Sequence, residues 1–373
     1  MKKKYVVLSI ITLVLLITFL TSFNYFKTSN NYVEDSVNNQ TKITKGISMN
    51  LEQTAGAGDY KQVTQSNWPT EGYKFNAELS KCENGGEISW DDTKKAVIVS
   101  GNLSDKCYVY FDIYQLTLAE YIKSQYTGAQ GDNALYYHNS TLTNGAGDNS
   151  YRYAGASDSV NNYICLGSDV ATCPNANLFR IIGVFGAQTK LIRLNSVSGP
   201  NWNTSDSNTW SSSSLNTYLN GEYLTSLGTL SEKIATTTWK VGGVLWANIP
   251  TSVPATAYQY EVGSSASTTT YDAKIGLMYV SDYGFAADQS LWTTKLGSYN
   301  SNRSKNWLFL GSAEWTISRV SDDTSAAFVV NSDGSVSGYT VDSDAGVFPS
   351  FNLLSSVKYV SGSGSMSDPV RIN

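Results

Sequence analysis

Phe179-Arg180-Ile181-Ile182-Gly183-Val184-Phe185 and Lys190-Leu191-Ile192-Arg193-Leu194 are two strand-length apolar runs, parted by Gly186-Ala187-Gln188. β-branched and aromatic residues on either side of a turn-sized break predict a β-hairpin. Downstream, Ile275-Gly276-Leu277-Met278-Tyr279-Val280 reads as a buried strand. Ala327-Phe328-Val329-Val330, Asn331-Ser332-Asp333-Gly334 and Ser335-Val336 read as a second hairpin, because Asp-Gly supplies the positive-φ turn residues. Phe351-Asn352-Leu353 and Val357-Lys358-Tyr359-Val360 resemble closing strands. Helices are expected between and before these runs. Thr117-Leu118-Ala119-Glu120 has the form of a capping box, with Leu118, Tyr121, Ile122 and Gln125 at helical spacing and Gly128 as the stop. A second helix is predicted over Ser212–Leu219, capped by Asn220-Gly221, and a third from Ser231.

Upstream, residues 61–112 form a smaller strand-rich module. Gly72-Tyr73-Lys74-Phe75 alternates, and Ile88-Ser89-Trp90, Ala96-Val97-Ile98-Val99 and Cys107-Tyr108-Val109-Tyr110-Phe111 are strand-length segments bounded by Gly and Asn. About fifty residues bury little core, so a covalent staple makes physical sense. The four cysteines fall into two local pairs, Cys82 with Cys107 and Cys165 with Cys173. No CxxC spacing is present and the chain has one histidine, so the pairs read as disulfides of an exported protein and not as metal ligands. Residues 24–60 hold few large apolar side chains and are marked by the polar or small stretches Asn30-Asn31, Asn38-Asn39-Gln40 and Gly56-Ala57-Gly58-Asp59, so they read as a flexible stalk.

The first 23 residues set the expected location. Met1-Lys2-Lys3-Lys4 precedes an uncharged run, Tyr5–Phe23. As a helix this run spans about 28 Å, close to the roughly 30 Å hydrocarbon core. Three lysines before it favour a cytoplasmic N-terminus. A cleaved signal peptide is the competing reading, but the run is long for one and Leu20-Thr21-Ser22-Phe23 is a poor cleavage site. Both readings export the rest of the chain, as a single-pass extracellular domain or as a secreted one.

Composition removes several functions. Charged residues are 15% of the chain and the net charge is −5, with no basic cluster beyond the first four residues. That leaves no electrostatic footprint for nucleic acid. With His138 alone, an HExxH zinc site is impossible, and a Ser-His-Asp triad has no GxSxG elbow to accompany it. His138 reads as a surface or hydrogen-bonding residue. No Walker loop or GxGxxG follows a strand, and no cofactor is expected.

From Asn162 onward the chain resembles bacterial surface proteins that carry a C-type-lectin-like domain of unknown function. The resemblance rests on Cys165-Leu166-Gly167, Phe179-Arg180-Ile181-Ile182-Gly183, Trp210 through Leu219-Asn220-Gly221-Glu222-Tyr223, Ile275 through Gly284, Glu314-Trp315-Thr316-Ile317-Ser318-Arg319, Asp333-Gly334, and Phe348-Pro349-Ser350-Phe351-Asn352-Leu353. Phe348 stands where that family usually has Arg. The resemblance covers residues 116–373 and implies an α+β domain, with helices packed on small antiparallel sheets and chain ends that meet. It implies no sugar ligand: the Glu-Pro-Asn and Trp-Asn-Asp signatures of true C-type lectins are absent. The expected order is therefore an anchor over 1–23, a stalk over 24–60, a stapled β module over 61–112 and a C-type-lectin-like domain over 113–373.

Site candidates are few. Trp202, in the polar Gly199-Pro200-Asn201-Trp202-Asn203, is the candidate for an exposed ring that stacks on a ligand, whereas Trp210, Trp239 and Trp315 read as packing residues. Asp322-Asp323 and Asp342-x-Asp344 are oxygen-rich turns that suit calcium less well than turn capping. Glu222, Glu261 and Glu314 are not paired by any spacing, as a glycosidase would require. The reading is an extracellular adhesion or ligand-binding protein for a glycan or protein partner, without catalysis. A purely structural surface protein and a carbohydrate-active enzyme are the alternatives.

Overall fold

The computed structural model describes residues 46–63, 68–69, 72–102 and 105–373. These divide into two units between Gln115 and Leu116. The first holds β1 (Ile47–Glu52), β2 (Tyr60–Val63), β3 (Tyr73–Cys82), β4 (Glu87–Asp91), β5 (Ala96–Ser100) and β6 (Cys107–Ile113). Four of them make one sheet in the order β2-β1-β6-β3, with β1 parallel to β6, while β4 and β5 form a separate hairpin. Met49, Leu51, Val97, Val99, Val109 and Phe111 are its core, closed by a cluster of Phe75, Trp90 and Phe111 rings.

Residues 24–60 were expected to be a stalk, yet β1 lies within that span and β2 begins at its end. The module starts by Ile47. The reason is non-local. Ile47, Met49 and Leu51 are too few to mark a strand by themselves, and their burial comes from pairing Ile47 with Cys107 through Leu51 with Phe111. Glu52 is buried as well, its carboxylate accepting from Gly58 N at 3.1 Å and Ile113 N at 2.9 Å. The expected anchor and residues 24–45 of the expected stalk lie outside the described residues. Among the described residues no helix is long and apolar enough to cross a membrane.

Cys82 and Cys107 are register partners at the ends of β3 and β6 and are joined by a disulfide. Cys82→Ser is expected to destabilise this unit by about 2–5 kcal/mol, the usual cost of losing a native bridge from a small domain. Hydrogen exchange on the full chain checks it: protection should fall in residues 46–115 and persist in 116–373. Equal loss in both units would contradict the account.

The second unit opens with α1 (Leu118–Ser124), whose capping box is formed: Glu120 N donates to Thr117 Oγ1 at 3.2 Å, and Thr117 N to the Glu120 carboxylate at 2.9 Å. β7 (Leu135–Tyr137), β8 (Tyr151–Tyr153) and β9 (Tyr163–Cys165) precede the predicted hairpin, present as β10 (Leu178–Phe185) and β11 (Gln188–Arg193). α2 (Ser214–Tyr218) does not stop at Asn220-Gly221 but continues through a π-helical turn (Leu219–Tyr223) into α3 (Leu224–Ser226). The Asn220 side chain is otherwise engaged, bonding both N and O of Ile275 at 2.9 Å. Gly228–Lys233 is a 3-10 helix.

β12 (Thr237–Lys240), α4 (Asn248–Thr251), α5 (Pro254–Glu261), β13 (Thr270–Ala273) and β14 (Ile275–Gly276) follow, then α6 (Val280–Ala286). The strand predicted over Ile275–Val280 is thus two residues long. Asp282 accepts from Tyr279 N at 2.9 Å and starts a helix there, and a short apolar run carries no signal that separates the two outcomes. The chain ends with β15 (Glu314–Arg319), β16 (Ala326–Val330), β17 (Val336–Thr340), β18 (Ser350–Leu353), β19 (Tyr359–Ser361) and β20 (Arg371–Ile372).

The main sheet has seven strands, running β14-β18-β11-β10-β8-β7 with β9 also on β10. β15-β16-β17 form a second sheet, and the Asp333-Gly334 hairpin is as predicted. Gly183 lets β8 approach β10: a Cβ there would sit 2.2 Å from the Tyr151 carbonyl oxygen. Cys165 and Cys173 are bridged. The ends of the unit meet, with Leu118 N donating to Val357 O at 2.8 Å and Tyr359 N to Leu116 O at 2.9 Å. The unit is mixed α and β, mostly strand. Six of the nine tryptophans, Trp210, Trp239 and Trp315 included, are fully buried in it.

Candidate functional site

Strand β11 buries Lys190 between Thr189 and Leu191, and a buried lysine must find a partner. Its Nζ lies 2.5 Å from Asp282 Oδ2 at the start of α6. Asp282 Oδ1 accepts from Arg152 Nη1 at 3.3 Å, and Arg152 Nη2 donates to Asp148 Oδ2 at 2.6 Å. Arg152 Nε donates to Ser150 Oγ at 2.8 Å. Four charges therefore alternate in a chain: Lys190, Asp282, Arg152, Asp148. Lys190, Asp282 and Arg152 are each at most 5% exposed. Burial pushes Lys190 down, and Asp282 draws it back. Burial opposes the ionised form of Asp148, yet Arg152 and the Ser150 hydrogen bonds hold it at about 2.

Aromatic rings surround these charges. Lys190 Nζ is 4.8 Å from the Tyr279 ring centre, 5.3 Å from Trp239 and 5.8 Å from Phe185. Trp239 is held by Ala273 O at 3.1 Å, and its ring packs on Gly276, where a Cβ would come within 2.8 Å. Tyr279 is fixed by its hydroxyl, which accepts from Lys240 N at 2.8 Å. Beyond Asp282, Glu261 accepts from Val280 N and Ser281 N at the start of α6 and from Ser318 Oγ. Burial raises its carboxyl against these hydrogen bonds.

The cluster is the floor of a cleft of about 230 Å³. Phe185, Tyr258, Trp239 and Tyr279 line it, with Gln188, Thr237, Thr238, Lys240 and Asn352 among its polar residues. Among the described residues Arg152 has each nitrogen committed, whereas Lys190 makes one hydrogen bond and keeps two donors. A wider hollow of about 630 Å³ lies beside the Cys165–Cys173 loop, but its Arg371 is spent on the carbonyls of Ser168, Val170 and Ala171.

Residues 187–355 match the family model described as a domain of unknown function, DUF6273. No curated protein and no solved structure matches the chain. The DUF6273 segment contains Gln188, Lys190, Thr237 through Lys240, Asp282 and Asn352, while Asp148, Arg152 and Phe185 precede it.

Trp202 is not the exposed ring it was expected to be. It is fully buried, donates Nε1–H to Thr316 O at 3.0 Å and meets the Trp210 ring edge-on at 5.3 Å. The polar residues flanking it cover the core and do not expose it. Trp246 is the tryptophan whose side chain is exposed, in a loop held where Asp322 accepts its backbone N–H at 2.7 Å. Asp323 caps Ser325, Asp342 and Asp344 are exposed, and among the described residues no three His, Cys, Asp or Glu side chains converge as a metal set. Glu222 is exposed, while Glu314 is buried on β15 with its carboxyl pushed well up by burial. It shares no hydrogen-bond partner with Glu261.

His138 is a core residue and not a surface one. Its Nδ1 accepts from Ala146 N at 3.0 Å, its ring packs on Phe285 and Trp292, and burial, then the charge of Arg152, holds it neutral. The cleft was missed from the sequence, although one signal was present: Arg180 interrupts an apolar run and Lys190 heads one. Arg180 serves packing, with its guanidinium between Tyr163 and Trp307 and its Nε on Asn162 Oδ1 at 2.6 Å.

Proposed function

We propose that the chain is a membrane-anchored extracellular binding protein, and that residues 116–373 hold a glycan or protein ligand in the Lys190 cleft without transforming it. The observation that carries this reading is the cleft floor: a buried ammonium with donors to spare, ringed by Trp239, Tyr279 and Phe185. Pockets of this kind, mostly aromatic with a few placed polar groups, suit recognition. The absence of catalysis is supported by the placing of the cleft carboxylates, since Asp148 and Asp282 are both bound to Arg152 and do not face each other across an open gap. Export is supported by the two disulfides, and a C-type-lectin-like fold by the meeting chain ends and the helices packed on antiparallel sheets. Anchoring rests on the uncharged run Tyr5–Phe23 after three lysines.

Binding of the full chain, in detergent micelles, to arrayed glycans and surface proteins tests the cleft. Gln188 stands two residues from Lys190 on β11, on the same side of the strand, and Gln188→Trp fits a strand while obstructing entry. The substitution should abolish binding with the fold intact. Undiminished binding, or turnover of a bound glycan, would overturn this function.

A further inference from the structure

Resting on that binding function, we infer that the cleft takes a single uncharged sugar ring. Charge balance is the first argument. Each charge on the floor is already answered, Lys190 by Asp282 and Arg152 by Asp148 and Asp282. Lys240, at the rim, turns its Nζ to Ser267 O at 3.5 Å. An anion placed on Lys190 Nζ would also meet the Asp282 carboxylate 2.5 Å from that nitrogen, and a cation would meet the ammonium itself. A neutral ligand escapes both penalties.

Hydrogen-bonding capacity is the second argument. Lys190 has two uncommitted donors. The Gln188 side chain has no hydrogen-bond partner among the described residues and offers both a donor and an acceptor. Asn352 gives its Nδ2 to Thr237 Oγ1 at 3.0 Å and keeps Oδ1 as an acceptor. Donors and acceptors thus line the cleft beside the half-buried rings of Tyr258 and Phe185. Ring hydroxyls, each both donor and acceptor, match those polar groups, and the apolar C–H face of a pyranose matches the rings. A volume of about 230 Å³ admits one ring and not a chain of them. No metal is called for, since the polar contacts come from side chains.

The test uses the full chain against neutral glycans (hexose- and N-acetylhexosamine-terminated), acidic glycans and peptides. Neutral glycans should bind, with an affinity unchanged between about 0.05 and 0.5 M salt, because no net charge is screened. Gln188→Ala should weaken them by about three- to tenfold, the loss of one or two hydrogen bonds, and Gln188→Trp should block them. Acidic glycans or peptides that bind instead, weaken with salt and are blocked by Gln188→Trp would overturn the ligand class and leave the site standing. Binding that ignores both substitutions, or no binding by any class, would overturn the site and this inference together.

Discussion

Asp282→Ala is expected to lower the stability of the second unit by about 3–5 kcal/mol, the cost of leaving buried charge uncompensated. Lys190 loses its one hydrogen bond, and Arg152 keeps Asp148 but loses its link to the rest of the chain of charges. The same substitution removes the cap on Tyr279 N, which contributes about 1 kcal/mol by itself. A second variant separates the two effects. Lys190→Met with Asp282→Leu removes the ammonium together with its carboxylate, and replacing a buried pair by apolar groups is often neutral or stabilising. Urea denaturation of the full chain should therefore show the double variant recovering most of the loss. If both variants lose the same amount, the cap and not the charge is what Asp282 contributes. If neither loses anything, Lys190 is not buried as described.

Trp202→Ala should also cost about 3–5 kcal/mol, the range for deleting a large buried ring. The indole fills space against Trp210, and Thr316 O loses its donor. Trp202 does not line the cleft, so molecules that stay folded should bind ligand with unchanged affinity. This outcome separates the two roles open to Trp202. A ring that stacks on ligand from a polar loop would weaken binding and leave the melting temperature alone. That result would move the binding site away from Lys190.

Both predictions concern side chains whose surroundings decide their meaning. Trp202 has polar neighbours in sequence and apolar ones in space, because the loop from Gly199 to Asn203 lies over the Thr316 strand and turns its one large ring inward. His138, between Tyr137 and Asn139, is likewise enclosed by Phe285 and Trp292, almost 150 residues downstream. Local polarity reports where the backbone runs and says little about which side chain it buries.

What the residue order determined by itself is local. The hairpin at Gly186 to Gln188, the Asp333-Gly334 hairpin, the Thr117–Glu120 capping box and both disulfides depend on turn chemistry, caps or short separations, and each is present. Tertiary structure decided whatever needed a distant partner. β1 is a strand because β6 lies beside it, α2 runs past Gly221 while Asn220 is held to Ile275, and the run after Gly276 becomes helix as Asp282 caps Tyr279. The cleft belongs to the same class. Asp148, Arg152, Lys190, Trp239, Asp282 and Asn352 are spread over some two hundred residues and carry no common motif. They meet because three strands of one sheet, the edge of β12 and the start of α6 converge around a lysine buried in β11.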